Sequence, residues 1–346
     1  MSLIRESVRR MEGYTPGEQP AGPGIIKLNT NENPYPPSPA VGDFLRRFDP
    51  ALLGRYPDPV CRRLRERIAS MHGLSPAQVF VGNGSDEVLA LCVRAFVPRP
   101  GGSVGSFDPS YSLYPVLAAT EDVPWVVSPL GPDFEWQSPR LLPGVFFLTY
   151  PNAPTGRVYP REDIEAFCRV FPGVVVVDEA YVDFADGHLM DLANTHPNVL
   201  VARTLSKSYS LAGLRVGYVA GPEELIAALY KIKDSYNVDR LAQEIAGIAL
   251  GDVEYMRANA RRIRATRARV ASGLERLGCR VWPSQANFLW FHPVRRPASD
   301  VFERLRDRQI FIRYFPGPRT GDGLRVTIGE EDDMTVFLKA LEEELS

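Results

Sequence analysis

Cysteine and histidine are both scarce, four of each in 346 residues. Cys61, Cys92, Cys168 and Cys279 form no closely spaced pair, and His72, His188, His196 and His292 show no short ligand spacing. No metal site is expected, and the thiols read as buried side chains in a reducing compartment. Long apolar runs are also missing. No segment approaches the roughly 20 apolar residues of a membrane span, and the basic start MSLIRESVRR leads into no apolar stretch of signal-peptide length. The expected location is therefore cytoplasmic, away from the membrane. Neither charge is in excess: 40 Lys+Arg against 42 Asp+Glu leave a formal charge of −2, too weak a field to gather nucleic acid or an anionic bilayer. Small molecules are the expected partners. Repeats of solenoid length and low-complexity tracts are absent as well.

What is present is an ordinary globular composition, 45% hydrophobic and 24% charged. The length exceeds what one core usually fills, so a large domain with a smaller partner is expected. Thirty-one prolines mark the loops. Between them, apolar strand-like runs alternate with helical patterns: VFVG before a helix from Glu87 to Phe96, then runs at 102–105, 123–127, 145–150, 174–177, 199–202 and 216–220. Several are apolar on both faces, as strands are when helices cover both sides of a mostly parallel sheet. Residues 40–245 are thus expected to form a large α/β domain. From about 239 to 278 the pattern turns helical, followed by short strand candidates at 288–291, 310–313 and 323–328 and a last amphipathic helix, which reads as a smaller α+β domain over 246–346. Residues 1–39 are expected to form an N-terminal arm or small-domain segment, whose polar, Pro-rich part from Gly13 to Pro39 reads as an arm or loop and not a packed element.

Three segments bear chemistry. TLSKSYSLAGLRVGY (204–218) brings hydroxyls, a lysine and an arginine together between two strands. Lys207 can bond an aldehyde if its surroundings favour the neutral amine. Arg215 can clamp a phosphate dianion, and Thr204 and Ser206 can add hydroxyl donors. A solvated Ser/Lys turn has the same residue types. In VFVGNGSDEVLAL a strand runs through Gly82 to Asp86 into a helix, and free N–H groups at a helix N-terminus make an anion cradle. Glu87 stands where a dinucleotide fingerprint needs its third glycine, which disfavours such a site. An ordinary turn capped by Ser85 or Asp86 fits the same string. In VVVVDEAYVDF, Asp178 ends a wholly apolar strand, at the edge where open α/β sheets bind ligands. A carboxylate buried there needs a partner such as a protonated pyridine nitrogen, and Tyr181 can donate to a phenolate oxygen on the same ring. Asp-Glu-Ala-Tyr also suits a strand end that caps a loop.

Together with YTPGEQ (14–19), KLNTNENPYPPSP (27–39), RYPD (55–58), DPSYSLY (108–114), YPNAPTG (150–156) and LRVTIG (324–329), these segments resemble the fold-type-I aminotransferases, and more narrowly the histidinol-phosphate aminotransferase family, along nearly the whole chain. The resemblance implies a mostly parallel seven-stranded sheet between helices and pyridoxal 5′-phosphate as cofactor. It implies that Lys207 bonds the cofactor, that Asp178 pairs with the ring nitrogen, that Tyr181 reaches the ring hydroxyl and that Tyr111 stacks on the ring. Gly84, Ser85, Asp86, Thr204, Ser206 and Arg215 match the phosphate cup, and Tyr56 resembles a tyrosine lent by the second subunit of a homodimer. The family usually has Asn-Asn-Pro-Thr-Gly; here the second position is Ala153, leaving the ring-hydroxyl contact to Asn152 or to Tyr181 alone.

The reaction so implied transfers the amino group of L-histidinol phosphate to 2-oxoglutarate, giving imidazole acetol phosphate and glutamate in histidine biosynthesis. One pocket must then accept both a phosphomethyl group and a carboxylate. Arg325 matches the family's arginine for this task, with Arg313 supporting the phosphate side and Tyr14 a further phosphate ligand; exposed sheet-edge arginines would look similar in sequence. A phosphothreonine decarboxylase or an aromatic amino-acid aminotransferase would share most cofactor markers. A non-catalytic cofactor-binding regulator would need a DNA-binding segment, for which the roughly 25 residues before KLNTNENP offer no helix-turn-helix or basic patch.

Overall fold

The computed structural model describes residues 2–346. Its centre is a seven-stranded sheet of β2 (Val79–Asn83), β3 (Ser103–Asp108), β4 (Trp125–Pro129), β5 (Gly144–Thr149), β6 (Val174–Asp178), β7 (Val199–Thr204) and β8 (Val216–Ala220). The order is β2-β8-β7-β6-β5-β3-β4. Neighbours run parallel except for β8, which is antiparallel to both β2 and β7. The middle strands are buried along their whole length, as VVVVD in β6 shows: a β-branched run fits a pleated strand and, having no polar face, needs cover on both sides. Helices such as Gly84–Phe96 and Arg161–Val170 provide that cover from opposite faces, and two separate apolar clusters fill the layers above and below the sheet. The mostly parallel α/β fold expected from the sequence is the one present.

A second, antiparallel sheet has the order β12 (Arg313–Tyr314), β13 (Leu324–Thr327), β10 (Phe288–His292), β9 (Arg280–Val281). It is backed by the helices Val253–Arg276 and Glu331–Leu345, whose apolar faces bury Ile263, Val270, Met334, Phe337 and Leu341. Two expectations need correction here. The strand candidate at 310–313 is two strands: β11 (Ile310–Phe311) pairs in parallel with β1 (Ile26–Lys27), and β12 pairs with β13. The arm, in turn, is not loop throughout, because β1 packs and Leu28, Asn29 and Asn31 behind it are buried. Its proline-rich composition hid a strand two residues long whose partner lies near the other end of the chain.

The four cysteines are free and buried. No helix of the described residues is long and apolar enough to cross a membrane.

Candidate active site

The carboxyl ends of β2, β3, β5, β6 and β7 all reach one edge of the large sheet, and the cleft opens there. Strand direction alone therefore gathers Ser85 and Asp86, Tyr111, Ala153, Asp178 with Tyr181, and Thr204 with Ser206 and Lys207 around one space. The far wall comes from the arm and the second sheet: Tyr14, Asn29, Thr30, Asn31, Arg313, Phe315 and Arg325.

Asp178 is 3% exposed. Its carboxylate accepts from the Tyr114 hydroxyl at 2.9 Å and from the Ala180 backbone amide at 3.2 Å. The nearby ion pairs join other residues, Glu179 with Arg203 and Asp86 with Arg215. Burial without a cation raises the Asp178 pKa to about 6, although both hydrogen bonds oppose the shift. Tyr114 is itself buried and takes part in a second hydrogen bond, with Thr149 Oγ1 at 2.6 Å, so the carboxylate is held rigidly. Lys207 Nζ donates to the Thr30 carbonyl at 3.1 Å. Burial, reinforced by the Arg325 guanidinium, lowers its pKa to about 8, which brings the neutral amine within reach near neutral pH. Asn33 fixes the loop by donating to the carbonyls of Lys207 and Ser208.

An anion cradle lies beside this pair. The helix Gly84–Phe96 has no side-chain cap at its N-terminus, which leaves its first N–H groups free; neither Ser85 nor Asp86 caps it. Gly84 has φ +78°, and a Cβ there would stand 2.6 Å from the Arg215 guanidinium. Gly217 on β8 is equally constrained, since its Cβ would meet the Ser85 amide nitrogen at 2.4 Å. Arg215 is paired with Asp86 at 2.9 Å, and the other oxygen of Asp86 accepts from the Tyr111 hydroxyl at 3.3 Å. Asp86 can only accept hydrogen bonds through its side chain, so it orients Arg215 and Tyr111 and leaves direct contact with a dianion to its backbone. Thr204 and Ser206 complete the cradle, their hydroxyls 2.9 Å apart.

Across the cleft, Arg313 and Arg325 are directly opposed on β12 and β13. Like charges in this register repel, and neither forms an ion pair with a carboxylate among the described residues. Arg313 donates to the carbonyls of Thr15 and Pro16 in the arm, Arg325 to that of Asn29, and the Arg325 Nε is buried without a partner. Burial lowers the Arg325 pKa from its usual value. Such a pair can accept an anion. Tyr14 stands at the rim, edge-on to Tyr111 with centroids 6.0 Å apart.

Two expected residues lie elsewhere. Asn152 does not face the cleft: its amide donates to Pro109 O and Thr155 Oγ1, and its carbonyl accepts from Ser110, so the loop itself consumes its hydrogen bonds. Ala153 lines the cleft instead. Tyr56 is 76% exposed and stacks on Tyr236 of the same chain, outside the cleft. Sequence reasoning missed Asn31, Asn33 and Tyr114. Asn31 and Asn33 belong to KLNTNENP, which signalled the family but gave no roles.

The residues suit pyridoxal phosphate. Asp178 lacks a cation, Lys207 is an amine biased towards neutrality, and the glycine-lined helix start has free donors. The sequence profile "Aminotransferase class I and II" matches residues 23–341. The chain is 43% identical over 346 residues to the histidinol-phosphate aminotransferase of Citrifermentans bemidjiense, covering 99% of each, and 44% identical over 350 residues to histidinol-phosphate aminotransferase 1 of Burkholderia pseudomallei, covering 98% of each. Among solved structures it is similar to the histidinol-phosphate aminotransferase of Sinorhizobium meliloti in complex with pyridoxal 5′-phosphate, with TM-score 0.88 and 25% identity over 100% of this chain and 98% of that one.

Proposed function

The chain belongs to the class I and II aminotransferases, and from that premise we propose that it transfers the amino group of L-histidinol phosphate to 2-oxoglutarate on pyridoxal phosphate. The observation that carries the reading is the juxtaposition of Lys207 and Asp178 at adjacent strand ends, both deep in the cleft and neither ion-paired, facing the arginine couple of β12 and β13. Pyridoxal phosphate, when bound, supplies an aldehyde for amines and a cationic ring that draws electrons from the neighbouring carbon.

Lys207 would bond the aldehyde and, once released, its neutral Nζ would move the proton of the substrate α-carbon, the general acid–base work of transamination. Asp178 would hold a proton on the ring nitrogen, an ion pair that its burial would strengthen. Tyr181 would donate to the ring oxygen, and Tyr111 would pack against the ring. Ser85, Thr204, Ser206, Arg215 and the backbone of Gly84 and Asp86 bind the phosphate. Arg325, with Arg313 and Tyr14, takes the phosphomethyl group of one substrate and the carboxylate of the other. Two arginines in one place suit a dianion, and a planar guanidinium suits a carboxylate equally.

The reading includes a homodimer in which Tyr56 reaches the partner's phosphate cup. Support comes from its exposure and from the way the segment is pinned: Arg240 donates to the Tyr56 carbonyl at 3.0 Å and Gln243 to that of Asp58 at 2.9 Å. The same reading has it act in the cytoplasm. No specific observation favours decarboxylation or aromatic transamination.

The test is an absorbance spectrum of the loaded enzyme before and after L-histidinol phosphate is added without an oxo acid. Loss of the visible band, and its return on 2-oxoglutarate, is expected; a coloured protein unmoved by that substrate refutes the substrate. Lys207→Ala should abolish turnover while the phosphate cup still retains cofactor.

A further inference from the structure

Ala153 presents only a methyl group to the cleft, and the neighbouring Asn152 amide is consumed by its own loop. Tyr181, which also lines the cleft, offers a hydroxyl with one proton to give and lone pairs to receive. Asn31, 1% exposed and on the opposite wall, donates to it from Nδ2 at 2.9 Å. The orientation of that amide is fixed. Thr327 Oγ1 accepts from the Asn31 backbone N–H at 3.0 Å, so its own proton goes to Asn31 Oδ1 at 3.1 Å, which leaves Nδ2 for Tyr181. The Asn31 carbonyl in turn accepts from Asn287 at 3.0 Å. With its acceptor side filled, the Tyr181 hydroxyl is free to point its proton into the cleft.

We propose that Asn31 is a positioning residue that locks Tyr181 as a hydrogen-bond donor towards the cofactor's ring oxygen, and so does the work for which the residue at position 153 has no polar group. This rests on the reading of Tyr181 as the ring-oxygen partner. A donor on that oxygen draws electron density from the proton on the Lys207 nitrogen of the loaded enzyme, and therefore lowers the pH at which that proton leaves.

The experiment is a pH titration of the visible band of the cofactor-loaded enzyme. Asn31→Leu should raise the midpoint by roughly 0.5 to 1 pH unit, the equivalent of one neutral hydrogen bond. Tyr181→Phe should raise it comparably, and the double variant no further, because the first residue acts through the second. Ala153→Asn, which restores an amide at the cleft, should bring the Asn31→Leu midpoint back towards wild type. Thr327→Val keeps the shape of the site while releasing the Asn31 amide, so it should shift the midpoint the same way even where Asn31→Leu folds poorly. Arg325, Asp178, Lys207 and Tyr14 also face Tyr181 and are unchanged in every variant, so their field is constant. A midpoint moved by Tyr181→Phe but by neither Asn31→Leu nor Thr327→Val overturns the role of Asn31. A midpoint unmoved by Tyr181→Phe overturns the role of Tyr181 and this inference with it.

Discussion

Replacing Asp178 by Asn should change the stability of the cofactor-free protein more favourably at pH 8 than at pH 5. The carboxylate is buried with a hydroxyl and an amide but no cation, and its pKa rises from 3.8 to about 6. A raised folded-state pKa contributes stability that is complete below the unfolded value and is lost as pH climbs through about 6. The full span is about 3 kcal/mol, at 1.36 kcal/mol per unit. Between pH 5 and pH 8 the wild type forfeits about 1.4 kcal/mol of it, whereas the amide introduced by Asp178→Asn does not titrate; its carbonyl can keep the bond from Tyr114 while its NH2 loses the one from Ala180 N–H, a cost that is the same at both pH values and cancels in the comparison. At roughly 2 °C per kcal/mol for a long chain, the change in Tm on substitution should be about 3 °C more favourable at pH 8 than at pH 5. Thermal melts of both cofactor-free proteins at the two pH values measure it. An equal change at both would mean that Asp178 is not a proton-poised acid, and the account of why it welcomes a cationic ring would fall. Pyridoxal phosphate should stabilise wild type far more than the variant.

Gly84→Ala should weaken cofactor binding about tenfold at modest cost in Tm, because its methyl displaces Arg215 and its φ of +78° suits only glycine well; fluorescence titration reads this. The rate at which cofactor-free protein takes up pyridoxal phosphate should rise as pH passes through about 8, where Lys207 loses its proton, and a rate that falls over that range would contradict the neutral-amine assignment. Mixing inactive Lys207→Ala with Tyr56→Ala subunits should restore activity to roughly a quarter of wild type, since half the dimers are mixed and one of their two sites is whole; no recovery would place Tyr56 outside the partner's site.

Much of this was legible in the sequence where the signal is local. Val174 to Val177 could only be a buried strand, and a carboxylate at its end, like the Lys207 turn after β7, necessarily falls on the binding edge of a parallel sheet. Signals that depend on distant partners were not legible. The run 310–313 reads as one strand until β1 is known to pair with half of it. Asn31 is 150 positions from Tyr181 and 296 from Thr327, so no spacing rule connects them. Asn152 failed for a related reason: an amide beside a cleft can be consumed by its own loop, and only the folded loop decides where its protons go.

The pairing of Ile26–Lys27 with Ile310–Phe311 has a consequence for how the protein comes into being. The β1 strand leaves the ribosome about 280 residues before its partner, which at roughly 5–20 residues per second is a wait on the order of tens of seconds. Lys207, Asp178 and the phosphate cradle are all translated within that interval, but the wall holding Arg313, Arg325 and the ordered Asn31 does not yet exist. A nascent chain therefore carries the cradle residues before the wall opposite them exists, and the cleft is complete only once β12 and β13 have been made.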